Sequence, residues 1–128
     1  MKIVTLIARI LLGLVFFVFG LNGFLNFLKG PLPTGIAGNF THALIDSHYV
    51  LFVSGVQVIA GALLLINRFV PLALTLLGPI LFNILVYHLT MDHSGALPGI
   101  LSTLFWAFLM WRYRAYFASL FVQTAEQK

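Results

Sequence analysis

The side chains best suited to chemistry are four imidazoles and two carboxylates, His42, Asp46, His48, His88, Asp92 and His93, with a scatter of amides set in apolar surroundings. Histidine changes charge near neutral pH and binds metals, so imidazoles beside carboxylates can relay protons or hold an ion. His42, Asp46, His48, Asp92 and His93 therefore make a candidate proton or metal cluster, with no particular metal indicated. Neither His42 with His48 nor His88 with His93 has the one-turn spacing that a helical metal site favours. Their competing reading is as polar residues at the wet ends of helices. His48 and His88 could face each other as axial ligands of a haem, but nothing in their spacing fixes that geometry, and haem is not favoured.

The amides form a second group. Asn22 and Asn26 share a helix face at i, i+4, Asn83 and Tyr87 do the same, and Ser54, Gln57 and Gly61 fall at i, i+3 and i+7. Polar groups in apolar helices rarely face lipid, so these stripes should turn inward and allow close helix approach. Asn22, Asn26, Gln57, Asn83 and His88 are the candidate polar pocket, suited to a quinone head group or another small amphipathic molecule. Read instead as structure, they are interhelical hydrogen bonds worth about 1 kcal/mol each. Arg9, about two turns into the first helix, is expected to reach back to the membrane surface as an anchor. Gly13, Gly20 and Gly23 are read as ordinary small-residue packing, since Gly20 and Gly23 lack the four-residue spacing of a helix-dimer motif. No Ser–His–Asp set, phosphate loop, HExxH or paired glutamates is present, so no catalytic residue is assigned.

What must position these groups follows from composition. Hydrophobic residues make up 61% of the 128, charged residues only 8%, and the mean hydropathy is +1.05. A soluble domain is about one-quarter charged, so water cannot be the main solvent of this surface. The absence of cysteine removes disulfides, thiolate chemistry and iron–sulfur ligation. Charge-free runs of 19, 21, 23 and 19 residues lie at 10–28, 47–67, 69–91 and 93–111. Each matches the roughly 20 residues that cross a bilayer as a helix.

A single all-α domain over 1–128 is expected, an integral membrane four-helix bundle with spans at 3–28, 48–67, 69–90 and 97–119. The first run lacks a small-residue cleavage site and is expected to stay in the protein. Asp46 or Ser47 should cap the second span, Pro71 and Pro98 open the third and fourth, and Pro79 should kink the third while freeing the carbonyl of Thr75. The run at 30–45, with Gly30, Pro31, Pro33, Gly35 and Gly38, reads as a loop or a re-entrant segment.

With four crossings, Lys2, Arg9, Arg68, Arg112, Arg114 and Lys128 share one side and Lys29 stands alone on the other. Basic residues near span ends stay in the cytoplasm, which puts both termini inside and the imidazoles outside. The mixed run Trp111-Arg112-Tyr113-Arg114-Ala115-Tyr116 suits a headgroup layer, so the pI near 9.9 needs no nucleic acid. Lipid is the surrounding partner. Other membrane subunits or further copies of the chain are the expected protein partners.

The chain resembles the DoxX-like family of small four-helix membrane proteins. The likeness rests on Arg9-Ile-Leu-Leu-Gly13 leading to Phe19-Gly20, the loop with Pro33, Gln57-x3-Gly61-x-Leu63-Leu64 and Arg68-Phe69-x-Pro71-Leu-Ala73. Pro79 and the segment from Asn83 to His88 resemble one branch of it. Many members carry an acid where Gln57 stands and a lysine where this chain has Asn22 or Asn26, so no intramembrane ion pair is implied. The resemblance implies an accessory subunit of a redox or quinone-linked complex in a bacterial inner membrane, without independent catalysis. Two alternatives stand beside it: an oxidoreductase subunit that binds quinone or haem through Asn22, Gln57, Asn83 and His88, and a small transporter.

Overall fold

The computed structural model describes residues 1–127, which are mostly helical, with no strand among them. Helices α1 (Lys2–Leu25), α2 (Gly35–Asp46), α3 (Tyr49–Leu65), α4 (Val70–Thr90) and α5 (Leu97–Arg112) are followed by a 3₁₀ helix, Arg114–Phe121. Helices α1 and α4 are long and apolar enough to cross a membrane; α2 and α3, bent by 82° at their junction, make a third candidate, and α5 is a shorter apolar helix. α1 packs along α3 and α5, and α4 packs along the same two, while α2 touches mainly α3. At their centre Leu12, Leu64, Leu74, Leu77 and Leu109 are fully buried. Outward, Phe52, Phe82 and Leu89 are each about 70% exposed or more, at 78%, 68% and 71%, an apolar coat that suits lipid and not water.

The helix starts follow the sequence closely. Pro71 and Pro98 sit in the first turns of α4 and α5; the cap of α3 is His48 and not Asp46 or Ser47, without a side-chain cap bond, although the Ser47 hydroxyl accepts the Tyr49 amide at 3.2 Å. α4 continues through Pro79. Three boundaries differ. α1 stops at Leu25 instead of running to 28, because Asn26 takes a left-handed conformation, φ 52°, and its amide closes on the Asn22 carbonyl; asparagine tolerates that conformation better than most residues. α3 ends at Leu65, two residues early, and Asn67 and Phe69 are both left-handed, at φ 57° and 52°. For a ring as bulky as phenylalanine this is a strained turn. The last span ends as an α-helix at Arg112, and the stretch to Phe121 tightens into a 3₁₀ helix.

The run at 30–45 is irregular only to Thr34. From Gly35 it is helical, since Ile36, Ala37, Phe40, Ala43 and Leu44 hold a 3.6-residue rhythm that two glycines do not break. Gly38 lies directly against the Pro33 carbonyl, which leaves no room for a Cβ. His48, left-handed at φ 65°, makes the elbow between α2 and α3.

The closest helix contact is between α1 and α3. A Cβ on Gly61 would lie 2.5 Å from the Phe17 amide nitrogen and 2.8 Å from the Gly13 carbonyl oxygen, and one on Gly20 2.8 Å from the Val58 nitrogen. Gly23 abuts the Ser54 side chain. Gly13, Gly20 and Gly23 thus form one stripe against Ser54, Val58 and Gly61, a backbone-to-backbone seam that goes beyond ordinary packing. Arg9 points toward a cleft at the N-terminal end of α1, as expected, but not as a freely exposed anchor. It is buried, and its guanidinium donates to the Leu64 and Leu65 carbonyls at the end of α3, where orphan carbonyls and the helix dipole both favour a cation.

Candidate functional site

A cavity of about 960 Å³ opens between the helices on the side of the α2–α3 elbow. α1 contributes Phe16 and Phe19, α2 contributes Phe40 and Leu44, and α5 closes the far wall with Gly99 and Ser102. Its amides and imidazole come from α3 and α4, Gln57, Asn83 and His88, beside Tyr87, and Thr41, Ser47, Tyr49 and Ser102 add hydroxyls. Phe19, Phe40 and Asn83 are exposed as well as lining, so the cavity opens on the helix surface.

Gln57, Asn83 and His88, three of the five residues expected to form a polar pocket, therefore meet in one place. Asn22 and Asn26 do not line it. The Asn22 side chain turns to the chain end of α1, where its carbonyl oxygen accepts the Leu28 amide at 2.7 Å, and Asn26 is the left-handed stop of the same helix. The expected network of amides between helices is likewise not formed among the described residues. Asn83 donates to the Pro79 carbonyl of its own helix at 2.8 Å; a short amide reaches a carbonyl one turn back more readily than it reaches a neighbouring helix. Besides the bonds from Arg9, an interhelical hydrogen bond comes from Trp106, whose indole donates to the Leu74 carbonyl at 2.8 Å. Its signal was an indole in an apolar span, which needs a partner when covered.

His88 is oriented by its surroundings. Nδ1 lies 2.9 Å from the Asp92 carbonyl, and since a carbonyl can only accept, Nδ1 carries the proton and Nε2 is left as an acceptor. The ring stands edge-on to Tyr87 at 5.0 Å, and Tyr87 packs against Phe40 at 5.8 Å. That chain of rings ties α4 to α2 beside the cavity. Gln57 makes no hydrogen bond among the described residues, so its amide can both donate and accept there.

The imidazole and carboxylate cluster separates into two parts. His42, Asp46 and His48 are exposed along α2 and its elbow, whereas Asp92 and His93 follow α4, near His88. No three histidine or acidic side chains among the described residues come together as metal ligands. Asp92 is the group with a resolved shift: the Ser94 hydroxyl, donating at 2.6 Å, holds its carboxyl below the usual aspartate range, with help from the Ser94 amide and the nearby His88 and His93. A depressed folded-state pKa stabilises the fold above the unfolded-state value and ceases to do so as the pH falls through the folded one, here below about pH 4. Ser94→Ala is expected to move the Asp92 titration upward toward the ordinary value, read by carboxyl NMR shifts in detergent. An unmoved titration would contradict the hydroxyl as the main cause.

Comparison with family models, with curated proteins and with solved structures found no match.

Proposed function

We propose that this chain is a non-catalytic integral subunit of a bacterial inner membrane, a DoxX-like four-span bundle with both termini in the cytoplasm. In this reading it holds a small amphipathic molecule of the quinone class for a redox or quinone-linked partner complex. The observation that carries the reading is the open cavity: its volume, about 960 Å³, lies toward the upper end of the roughly 300–1,000 Å³ of ligand pockets. Apolar side chains make most of its wall, and its hydrogen-bonding groups are Gln57, Asn83, Tyr87 and His88 with a few hydroxyls.

The chemistry of those groups suits a quinone head. A ring carbonyl needs a donor, which the Gln57 amide and the Tyr87 hydroxyl supply; a reduced ring hydroxyl needs an acceptor, which Nε2 of His88 supplies. No charged side chain lines the cavity among the described residues, as fits a neutral ligand. A four-span arrangement requires α5 to cross as well. Its 16 residues give about 24 Å of rise, short of the usual core, but it lies beside α1 and α4 and runs on into the 3₁₀ helix.

The test is gentle detergent extraction of the full-length protein, followed by identification of the lipid-soluble molecules and proteins that remain with it. A quinone is expected at near-stoichiometric ratio, and Gln57→Leu is expected to reduce its retention by about tenfold, the loss of a hydrogen bond or two in a covered site. A preparation that retains only bulk phospholipid, or a Gln57→Leu protein that keeps its quinone in full, would overturn the reading.

A further inference from the structure

At the opposite end of the helices from the cavity, where α1 and α3 are joined through Arg9, lies a second and smaller cleft of about 210 Å³. It is lined by Lys2, Thr5, Arg9, Asn67, Arg112 and Tyr113, with Leu6 as its apolar member. Three of these side chains are cations, and no acidic side chain lines the cleft among the described residues. Asp46 and Asp92 belong to the α2 elbow and the end of α4, and Glu126 lies beyond the last helix.

Two of the three cations are fixed by the fold. Arg112 spends its Nε–H on the Thr5 hydroxyl at 2.9 Å, which bridges α5 to α1 and leaves both terminal nitrogens of its guanidinium for another partner. Arg9 spends Nη1 on the α3 carbonyls. Although Arg9 is buried, none of its nitrogens is both enclosed and without a partner, so its remaining N–H groups reach the cleft it lines. Like charges gathered around one concavity repel unless an anion lies between them. The forked donors of arginine match phosphate oxygens, and the asparagine amide and tyrosine hydroxyl add neutral donors.

We propose that this cleft binds a phosphate group, carried either by an anionic lipid headgroup or by a free phosphate anion. Its surroundings fit the lipid source: Leu6 inside the cleft, and Met1, Ile3 and Val4 next to it, are all about half exposed or more, at 48%, 63%, 72% and 52%, and would border acyl chains. The quinone reading is not needed for this site, which uses none of the same residues.

The test uses the full-length protein in a non-ionic detergent. Native mass spectrometry counts retained phosphatidylglycerol and phosphatidylcholine added at equal amounts, and thermal unfolding is followed with inorganic phosphate against chloride at matched ionic strength. The variant is Lys2→Gln with Arg112→Gln, since Arg9 also supports the fold. A control, Lys29→Gln with Arg68→Gln, removes the same formal charge from residues that do not line the cleft. Phosphatidylglycerol should be retained in preference to phosphatidylcholine, and the cleft variant should lose about tenfold or more of that preference while the control keeps it; this result assigns a lipid. A phosphate-specific rise in unfolding temperature that the cleft variant loses, without lipid preference, assigns a free anion. Equal retention of both lipids with no phosphate effect, or equal losses in variant and control, overturns the proposal.

Discussion

Gly61→Leu should yield no folded protein, and Gly61→Ala should lower stability by about 1–3 kcal/mol. The methyl of even an alanine would lie 2.5 Å from the Phe17 nitrogen and 2.8–2.9 Å from the Gly13 oxygen and the Phe17 Cα. These are backbone atoms that no rotamer change can move. Relief requires α1 and α3 to separate along their whole contact, which also pulls the Arg9 guanidinium from the α3 carbonyls. Gly55 on the same helix is the internal control: there the nearest atom to an added methyl is a Phe24 ring carbon at 3.9 Å. Gly55→Ala should be neutral, or gain up to about 1 kcal/mol from helix propensity. Thermal unfolding of the three variants in one detergent decides it, and a Gly61→Ala protein as stable as Gly55→Ala would refute the seam.

Arg9→Met is expected to cost about 2 kcal/mol, the second largest effect. Two terms oppose each other. Removing a buried cation relieves its desolvation, which in a fully enclosed site can make the change neutral or favourable. Here the guanidinium opens on the basic cleft and keeps part of its hydration, so the relief is small. The loss is larger: the Leu64 carbonyl at the end of α3 gives up a hydrogen bond to a charged donor, worth about 1.5–3 kcal/mol, and the Leu65 carbonyl a long contact at 3.4 Å that adds little. Arg9→Lys should recover about half, because an ammonium can reach a carbonyl but lacks the planar fork. A methionine variant that unfolds at or above the parent temperature would show that desolvation wins.

Much of the architecture was legible because lipid imposes a simple rule on composition. The four apolar runs bounded by charges became α1, α3, α4 and α5, and the prolines at 71 and 98 marked their starts. What failed was local and conformational. Whether Asn22 and Asn26 face a pocket or end a helix depends on one left-handed residue, and the i, i+4 rule has no access to that. α2 reads in the sequence only as a loop or a re-entrant segment, because its glycines and the preceding prolines outweigh a short apolar rhythm; with α3 it forms a sharply bent pair, a broken span or a re-entrant segment. The glycines of α1 were seen but judged pairwise; taken as a stripe at i, i+7 and i+10 they would have pointed to the seam. At the cavity, Gln57, Asn83 and His88 were found as polar groups in apolar helices. Tyr87 was legible too, one turn from Asn83, whereas Phe40 and Ser102 joined them through contacts distant in sequence, which no spacing rule within one helix can supply.

The cavity's mouth lies among exposed, oily side chains on the flank of the helices, beneath the elbow at His48. Under the function proposed above, a guest using that mouth would arrive sideways from the hydrocarbon, with the bilayer as its reservoir. Occupancy then follows the mole fraction dissolved in lipid, and two guests with identical contacts will differ in apparent affinity by the ratio of their oil–water partition coefficients. Titrations expressed per litre of buffer should drift with the lipid-to-protein ratio, and collapse onto one curve when expressed per lipid.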